Sequence, residues 1–534
     1  MPLKIANIQL GLDEPEDALP EKLARRLGVG REAIGRWRIL RKSLDARRRD
    51  EIRFVYAAEV EVPGDEAALA ARVAGPDVAP YVPARFDWPE PGREPLATRP
   101  VVIGSGPAGL FAAYFLAREG YRPLVLERGR EVKDRVGDVR RFDAGGLLDP
   151  ESNYLFGEGG AGTFSDGKLT SRGAGPDVDR VLEVLADCHG KPSIRYEHRP
   201  HLGSNRLPLV VRTLRRKLEE LGGEVRFSCR VEDLEIIDGR LRGVLTSSGR
   251  FAADAAVLAA GHSARDTYQM LLRRGVPMAA KAFQLGVRIE QLQGQVDAAR
   301  YGMAAGHPAL GAADYELVAP AGGGRNLFTF CMCAGGYVMP SVSEPGYFCT
   351  NGMSESRHDS PFANSGLVIT ITPEDTGSRH PLAGVHFQQR AERLAYLAGR
   401  RRYAAPIQRA RDFLADRPSR GPIATSYPRG IEPVDLARLL PPVVLDALLR
   451  GLPVLDYRFR GLFLKDATLV APESRGSSPV RIPRDDATRQ HPAVSGLYPC
   501  GEGAGYAGGI ISAAVDGLRT ARAMVGRFAR PAGA

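Results

Sequence analysis

VVIGSGPAGLFAAYFLAREGYRPLVLERG, residues 101–129, reads as a strand, a tight glycine turn, a helix, a second strand and an acid, in that order. That order is the βαβ unit that binds a dinucleotide. Val101 to Ile103 form an apolar run suited to a buried parallel strand. Gly104, Gly106 and Gly109 complete GxGxxG, and each does something physical there. Gly104 makes the sharp turn, Gly106 lets a pyrophosphate approach, and Gly109 lets the helix pack closely on the strand. Ser105, Pro107 and Ala108 open the helix, where free N–H groups and the helix dipole attract phosphate. Glu127, followed by Arg128, closes the second strand about 20 residues further on, where an acid holds ribose hydroxyls.

Glycine patterns alone are weak in a chain with 61 glycines. Gly157, Gly159 and Gly162 also fit GxGxxG, as do Gly503, Gly505 and Gly508. The first of these runs into Thr163, Phe164, Ser165, Asp166 and Gly167, which is no crossover helix. After the second only about 30 residues remain, too few for another βαβ half. Gly104 alone has strand, helix, strand and acid in place.

The chain has 534 residues, enough for two to four domains, and its 43% apolar content supports a sizeable core. The formal charge of +10 is modest over this length and fits an anionic ligand. Six cysteines, none before Cys188, argue against a secreted disulfide scaffold. The N-terminus carries charges throughout, and no uncharged apolar run is long enough to span a membrane, so a cytoplasmic protein is expected. Nine histidines show no metal-ligand spacing, and HExxH, paired CxxC and GxSxG are missing. Metal hydrolysis and serine-hydrolase chemistry are therefore disfavoured, and no metal is expected.

Residues 1–95 read as a small α+β domain: a strand over 4–12, a helix over 20–27, and a hairpin of 37–47 with 53–62. A proline-rich linker with Pro80, Pro83, Pro89, Pro91 and Pro95 follows. The hairpin carries Arg36, Arg38, Arg41, Lys42, Arg47, Arg48 and Arg49 against Asp45. A nucleic-acid contact is one reading of this cluster; a solvated face is the favoured one, because acids are abundant in the same segment.

Past the βαβ unit, FGEGGAGTFSDGKLT (156–170) stacks glycines beside Thr163, Ser165 and Lys168. The exposed amides of Gly159, Gly160 and Gly162 are expected to follow an extended cofactor. Short strands lead on, one of them starting at Val231, and DAAVLAA (254–260) reads as a buried strand ending at Gly261. At the start of the next helix Ser263 and Asp266 read as a capping pair, with a catalytic role for the polar residues from His262 to Thr267 as the less favoured reading. KAFQLGVRIE (281–290) alternates, with Arg288 on the face that meets water or a cavity. There Arg288 would bind a substrate anion or pair with Glu290. LFTFCMC and GYFC (327–349) are two strand-like runs with three cysteines. In an extended strand Cys331 and Cys333 would lie roughly 6.6 Å apart at Cα, so a bond between them needs a bent backbone. Buried small hydrophobes and a thiol site near a redox cofactor are the two readings. At the C-terminus a strand ending at Cys500, an acidic turn at Gly501 and Glu502, and Gly508, Gly509 and Ile510 at a helix start suit a flavin. A helix N-terminus there would stabilise the negative charge of the reduced ring.

GSGPAG, LERG, NYLFGEGGAGTFSDGKLTSR, GHSARDTY, KAFQLGVRIE, FCMCAGGYVMPS, TNGMSESR and CGEGAGYAGGIISAAVDGL occur in this order. With them the chain resembles the uncharacterised FAD-dependent dehydrogenases, oxidoreductases with a glutathione-reductase-type FAD domain. The resemblance implies bound FAD and an α/β fold: a discontinuous Rossmann-like FAD-binding domain, an inserted mixed α+β substrate domain and a small N-terminal α+β domain. The expected boundaries are 1–95 for the N-terminal domain, 96–275 and 485–534 for the two parts of the FAD domain, and 276–484 for the insertion. Many relatives carry Asp in the late turn where this chain has Glu502. The expected activity is hydride transfer between an organic small-molecule substrate and the flavin. Lys168, Arg288, Cys331 and Cys333 are the side chains expected to act in it. Any NADH or NADPH would have to bind without a Rossmann domain of its own, since no second βαβ unit is present, or the electrons come from the substrate. A nucleic-acid-associated flavoprotein and a flavin binder without turnover are the alternatives.

Overall fold

The computed structural model describes residues 1–64, 66–73, 75–170 and 173–531. The βαβ reading holds. Val101–Ile103 lies between Ala256–Leu258 and Leu124–Leu126 in a five-stranded sheet completed by Leu497–Pro499 and Glu224–Arg226, with every neighbouring pair parallel. Its central strands are buried on both faces, as continuous apolar runs require. The helix Pro107–Arg118 packs against the last helix, Ile510–Arg527, and the side chains between them fill one core. The two elements that read as cofactor-binding at opposite ends of the sequence are therefore neighbours. A three-stranded antiparallel sheet, Val231–Ile237, Arg240–Thr246 and Gly249–Ala252, packs beside them.

A seven-stranded sheet forms the other large layer, in the order Val318–Pro320, Asn326–Cys333, Phe362–Ile371, Phe283–Leu292, Thr468–Glu473, Ala405–Arg409 and Ile431–Pro433. Its strands pair antiparallel except the last two. Phe283–Leu292 is the middle strand and is buried along nearly its whole length on both faces. The alternation of this segment therefore separates two packed faces, and the expected water-facing side does not exist. Helix Pro442–Arg458 covers one face of the sheet.

The first four strands, Leu3–Gly11, Trp37–Asp45, Arg53–Val60 and Val78–Pro80, make an antiparallel sheet of their own with helix Leu19–Leu27 against it. The basic hairpin is charge-paired: Arg38 with Glu59, Arg47 with Asp45, Arg48 with Asp50, and Lys42 with Glu16. This is the solvated-face reading, and nothing in the pairing favours a polyanion. The proline-rich segment is less free than a linker. Phe86 and Trp88 stack on Phe115, and the Gly92 and Glu94 amides donate to the carbonyls of Val525 and Arg527. GYFC also differs from expectation: Asn326–Cys333 is a strand, but residues 346–349 turn, with Gly346 at φ 86°, and only Thr350–Ser354 continues extended. Among the described residues no helix is long and apolar enough to cross a membrane.

Candidate functional site

A cavity of about 390 Å³ lies where the parallel sheet, the last helix and the seven-stranded sheet meet. One wall is backbone. Gly104, at φ 98°, turns so tightly that a Cβ there would lie 2.5 Å from the Ala259 carbonyl oxygen, and one on Gly109 would lie 1.9 Å from that of Gly104. These two glycines are required by the packing of the fold. Gly106 differs: a Cβ there would meet only the Gly160 Cα, at 4.0 Å. Gly508 and Gly509 likewise have open space beside them. The helices Pro107–Arg118 and Ile510–Arg527 both begin in the cavity lining, so two sets of free N–H groups and two positive dipole ends face one space. A glycine cradle between two helix N-termini fits an extended diphosphate.

Glu127 organises the first turn. One carboxylate oxygen accepts from the Ser105 amide at 2.8 Å and its hydroxyl at 2.7 Å; the other accepts from the amides of Gly129 at 2.9 Å and Gly157 at 3.0 Å. Arg128 is held by Glu151 and Asp266. Asp266 also accepts from the Thr267 amide, while the cap residue of helix Arg265–Arg273 is Ala264. The Ser263 and Asp266 capping pair is thus not formed, because Asp266 serves Arg128. Ser263 lines the cavity instead.

Of the residues expected at a cofactor, Gly104, Ser105, Gly106, Pro107, Ala108, Glu127, Arg128, Gly160, Gly162, Val231, Gly261, Gly501, Glu502, Gly508, Gly509 and Ile510 line this cavity. Gly109, Gly159 and Thr163 do not: they sit behind the wall. The Gly159 amide donates to the Ser105 carbonyl, and the Thr163 hydroxyl to that of Glu158.

The opposite wall carries side chains. Lys168, Asp166, His262, Cys331, Asn351 and Arg475 all contribute to it. Lys168 stands 3.7 Å from Asp166. Burial is the largest single influence and opposes its charge, but Asp166 together with Cys333, Cys331 and Asp314 outweighs it and raises the ammonium pKa. Burial also pushes Glu502 up to about 7, with Lys281 only partly offsetting it, and draws the neighbouring His262 down to about 3. The two side chains approach to 3.8 Å. Below them Glu392 is fully buried and binds both Arg265 and Arg475, whose charges hold its carboxyl low against burial. Sequence reasoning missed Arg475, Asn351, His262 and Asp166 as site residues; Asp166, His262 and Asn351 lie in stretches that carry the family resemblance, whereas Arg475 does not.

Arg288 is corrected most. It is fully buried and does not line the cavity. Nε and Nη2 of its guanidinium donate to the two carboxylate oxygens of Glu473 at 2.7 Å, Nη2 also donates to Asn351, and Nη1 donates to Asn364 and the Cys331 carbonyl oxygen. Glu290, the alternative partner, binds Ser426. No donor of Arg288 is left for a substrate anion.

Four family models match the chain: an NAD(P)-binding Rossmann-like domain at residues 102–157, an FAD dependent oxidoreductase at 203–329, an FAD-dependent protein C-terminal domain at 282–476, and a domain of unknown function at 2–61. An uncharacterised protein of Clostridium beijerinckii is 42% identical over 99% of this chain and 100% of its own length. The chain belongs to the FAD-dependent oxidoreductases. Among solved structures, L-proline dehydrogenase from P. horikoshii is 11% identical, covering 81% of this chain and 93% of that one with a TM-score of 0.33. A thioredoxin reductase from Lactococcus lactis is 19% identical over 30% of this chain with a TM-score of 0.18, and the match spans only 35% of its length. FAD is the cofactor of this oxidoreductase, and the glycine cradle between two helix N-termini is the part of the cavity with the chemistry to hold its diphosphate.

Proposed function

We propose that this FAD-dependent oxidoreductase is a dehydrogenase that takes a hydride from a small organic substrate bound against the side-chain wall of the cavity. The observation that carries this reading is that one cavity is lined by two chemically different sets of residues. Backbone amides, glycines, Glu127 and Glu502 make up the first, and Lys168, His262, Cys331 and Asn351 the second. FAD supplies the two-electron chemistry. Gly106, Gly160 and the amides of Gly509 and Ile510 would hold it, and Glu502, whose carboxyl burial pushes up to about 7, would stand beside it as a hydrogen-bonding group. Lys168 keeps a fixed positive charge in the second set and orients polar substrate groups. Residues 276–484, which include all seven strands of the seven-stranded sheet, form the substrate-binding insertion in this reading, and 1–95 a separate module.

The test is anaerobic. Purified yellow protein is mixed with NADH, with NADPH and with a panel of organic metabolites while flavin absorbance is followed. Bleaching by an organic substrate, with neither nicotinamide effective, is the expected result. Rapid bleaching by NADH or NADPH alone would make it a reductase instead, and a protein that cannot be reconstituted with FAD would overturn the assignment.

A further inference from the structure

Strand Asn326–Cys333 loses its register with Phe362–Ile371 between Phe330 and Cys333. At this bulge Cys331 has φ 45°, a left-handed conformation that only a minority of non-glycine residues adopt. The bulge bends the backbone where a straight strand would hold the two cysteines near the upper limit of the distance a disulfide spans. It turns Cys331 into the cavity lining, while Cys333 is fully buried behind it. The Cys333 thiol donates to the Cys331 carbonyl oxygen at 3.4 Å, which folds the Cys333 side chain back onto the bulge. Arg288 donates to the same carbonyl at 3.3 Å, so the buried Arg288 and Glu473 pair fixes the strained residue in place.

The charges around the two sulfurs differ. The adjoining Cys333 thiol, with Lys168 and Arg288 nearby, outweighs burial and lowers Cys331, whereas Cys333 is raised. One sulfur is set as thiolate and its neighbour as thiol, the asymmetry that a dithiol needs to close into a disulfide. Cys349, also fully buried, meets Ser474 and has no cysteine partner of this kind.

We propose that Cys331 and Cys333 are a redox-active dithiol that exchanges an electron pair with the flavin, a step that rests on the dehydrogenase reading above. In the oxidising direction the Cys331 thiolate and the Cys333 thiol form one S–S bond, lose one S–H bond, and release a proton and two electrons, which oxidised FAD accepts. In the reverse direction, electrons taken from substrate pass from reduced FAD to the disulfide, which becomes thiolate and thiol again on taking up one proton. The pair then stores a second reducing equivalent beside the cofactor.

The experiment is an anaerobic dithionite titration of the holoprotein with thiols counted on both sides. The expected result is uptake of about two electrons per FAD beyond those that bleach the flavin. The Cys331→Ser and Cys333→Ser variants should lose that extra uptake while still holding yellow, reducible FAD. In air-oxidised wild-type protein, the peptide carrying both cysteines should resist alkylation and be lighter by two hydrogens, becoming alkylatable after reduction. Full alkylation of both cysteines in oxidised protein, with uptake that stops at flavin reduction, would overturn the proposal. Should both serine variants fail to fold, the wild-type peptide mass still decides. Substrate-driven bleaching is read separately, so a failed dithiol is distinguishable from a failed dehydrogenase.

Discussion

Arg288 and Glu473 face each other from adjacent strands of the seven-stranded sheet, with two hydrogen bonds of 2.7 Å and almost no exposure of either side chain. Burial raises the Glu473 carboxyl even with the guanidinium beside it. Desolvation thus offsets much of the attraction within the pair, and breaking one half is worse than removing both. Arg288→Met should destabilise the protein by about 3–5 kcal/mol, because Glu473 is left buried and unpaired. The double variant Arg288→Met with Glu473→Met should recover most of that loss. Urea unfolding of the single and double variants measures both; equal losses would show that Arg288 acts through its other partners, Asn364 and Asn351.

The glycines of the first turn separate packing from ligand binding. Gly109→Ala places a Cβ 1.9 Å from a carbonyl oxygen and should cost several kcal/mol or abolish folding. Gly106→Ala meets nothing closer than 4.0 Å in the protein, so its unfolding midpoint without cofactor should stay near wild type. FAD retention should nevertheless fall at least tenfold, because the methyl group occupies the approach of the diphosphate. Flavin content after gel filtration, set against thermal unfolding of the stripped protein, checks the contrast.

The part of the site that was legible from the chain is the part made by local geometry. Gly104, Gly106, Gly109 and Glu127 lie within one βαβ unit, and their roles follow from spacing because the turn, helix and strand fix where each must be. The late turn at Gly501 and Glu502 was legible for the same reason. Arg475, Glu392 and Asn351 were not, because each reaches the cavity region through long-range pairing of strands and helices that no local pattern records. Arg288 was misread because an alternating strand in the middle of a covered sheet has two buried faces. The period of two says that the faces differ, not that one of them is wet. The strand bulge at Cys331 was equally hidden, although the need for a bend between the two cysteines was visible.

Lys168 should set the acidity of Cys331. With the adjoining Cys333 thiol as the larger influence, the ammonium helps to hold the Cys331 thiol below its ordinary value. Removing a nearby cation disfavours the thiolate. Lys168→Met should therefore move the midpoint of thiolate absorbance upward, and Lys168→Arg should leave it close to wild type. Ultraviolet difference titration against Cys331→Ser gives the midpoint directly; an unchanged midpoint in Lys168→Met would remove Lys168 from the electrostatics of the pair.

Asp516 ties the last helix to the late turn. Its carboxylate accepts from the Gly501 amide at 2.7 Å and binds Arg484 at 2.7 Å, with Arg489 as a further partner. Burial favours the neutral acid, but the two guanidinium groups outweigh it and lower the carboxyl from 3.8 to about 2. The unfolded chain takes up this proton at higher pH than the folded one. The stabilisation is therefore complete above about 3.8 and disappears as the pH falls through about 2. Its size is about 2 kcal/mol, undiscounted because the side chain is nearly buried. Asp516→Asn should lose that amount or more at neutral pH, since Arg484 and Arg489 are left facing a neutral amide. The gap between wild type and variant should narrow as the pH is lowered from 5 towards 3, measured by urea unfolding at each pH. FAD should also dissociate faster from the variant at neutral pH, because the Gly501 amide and the turn that carries Glu502 lose their anchor; a gap that stays constant with pH would exclude Asp516 as the source of the acid sensitivity.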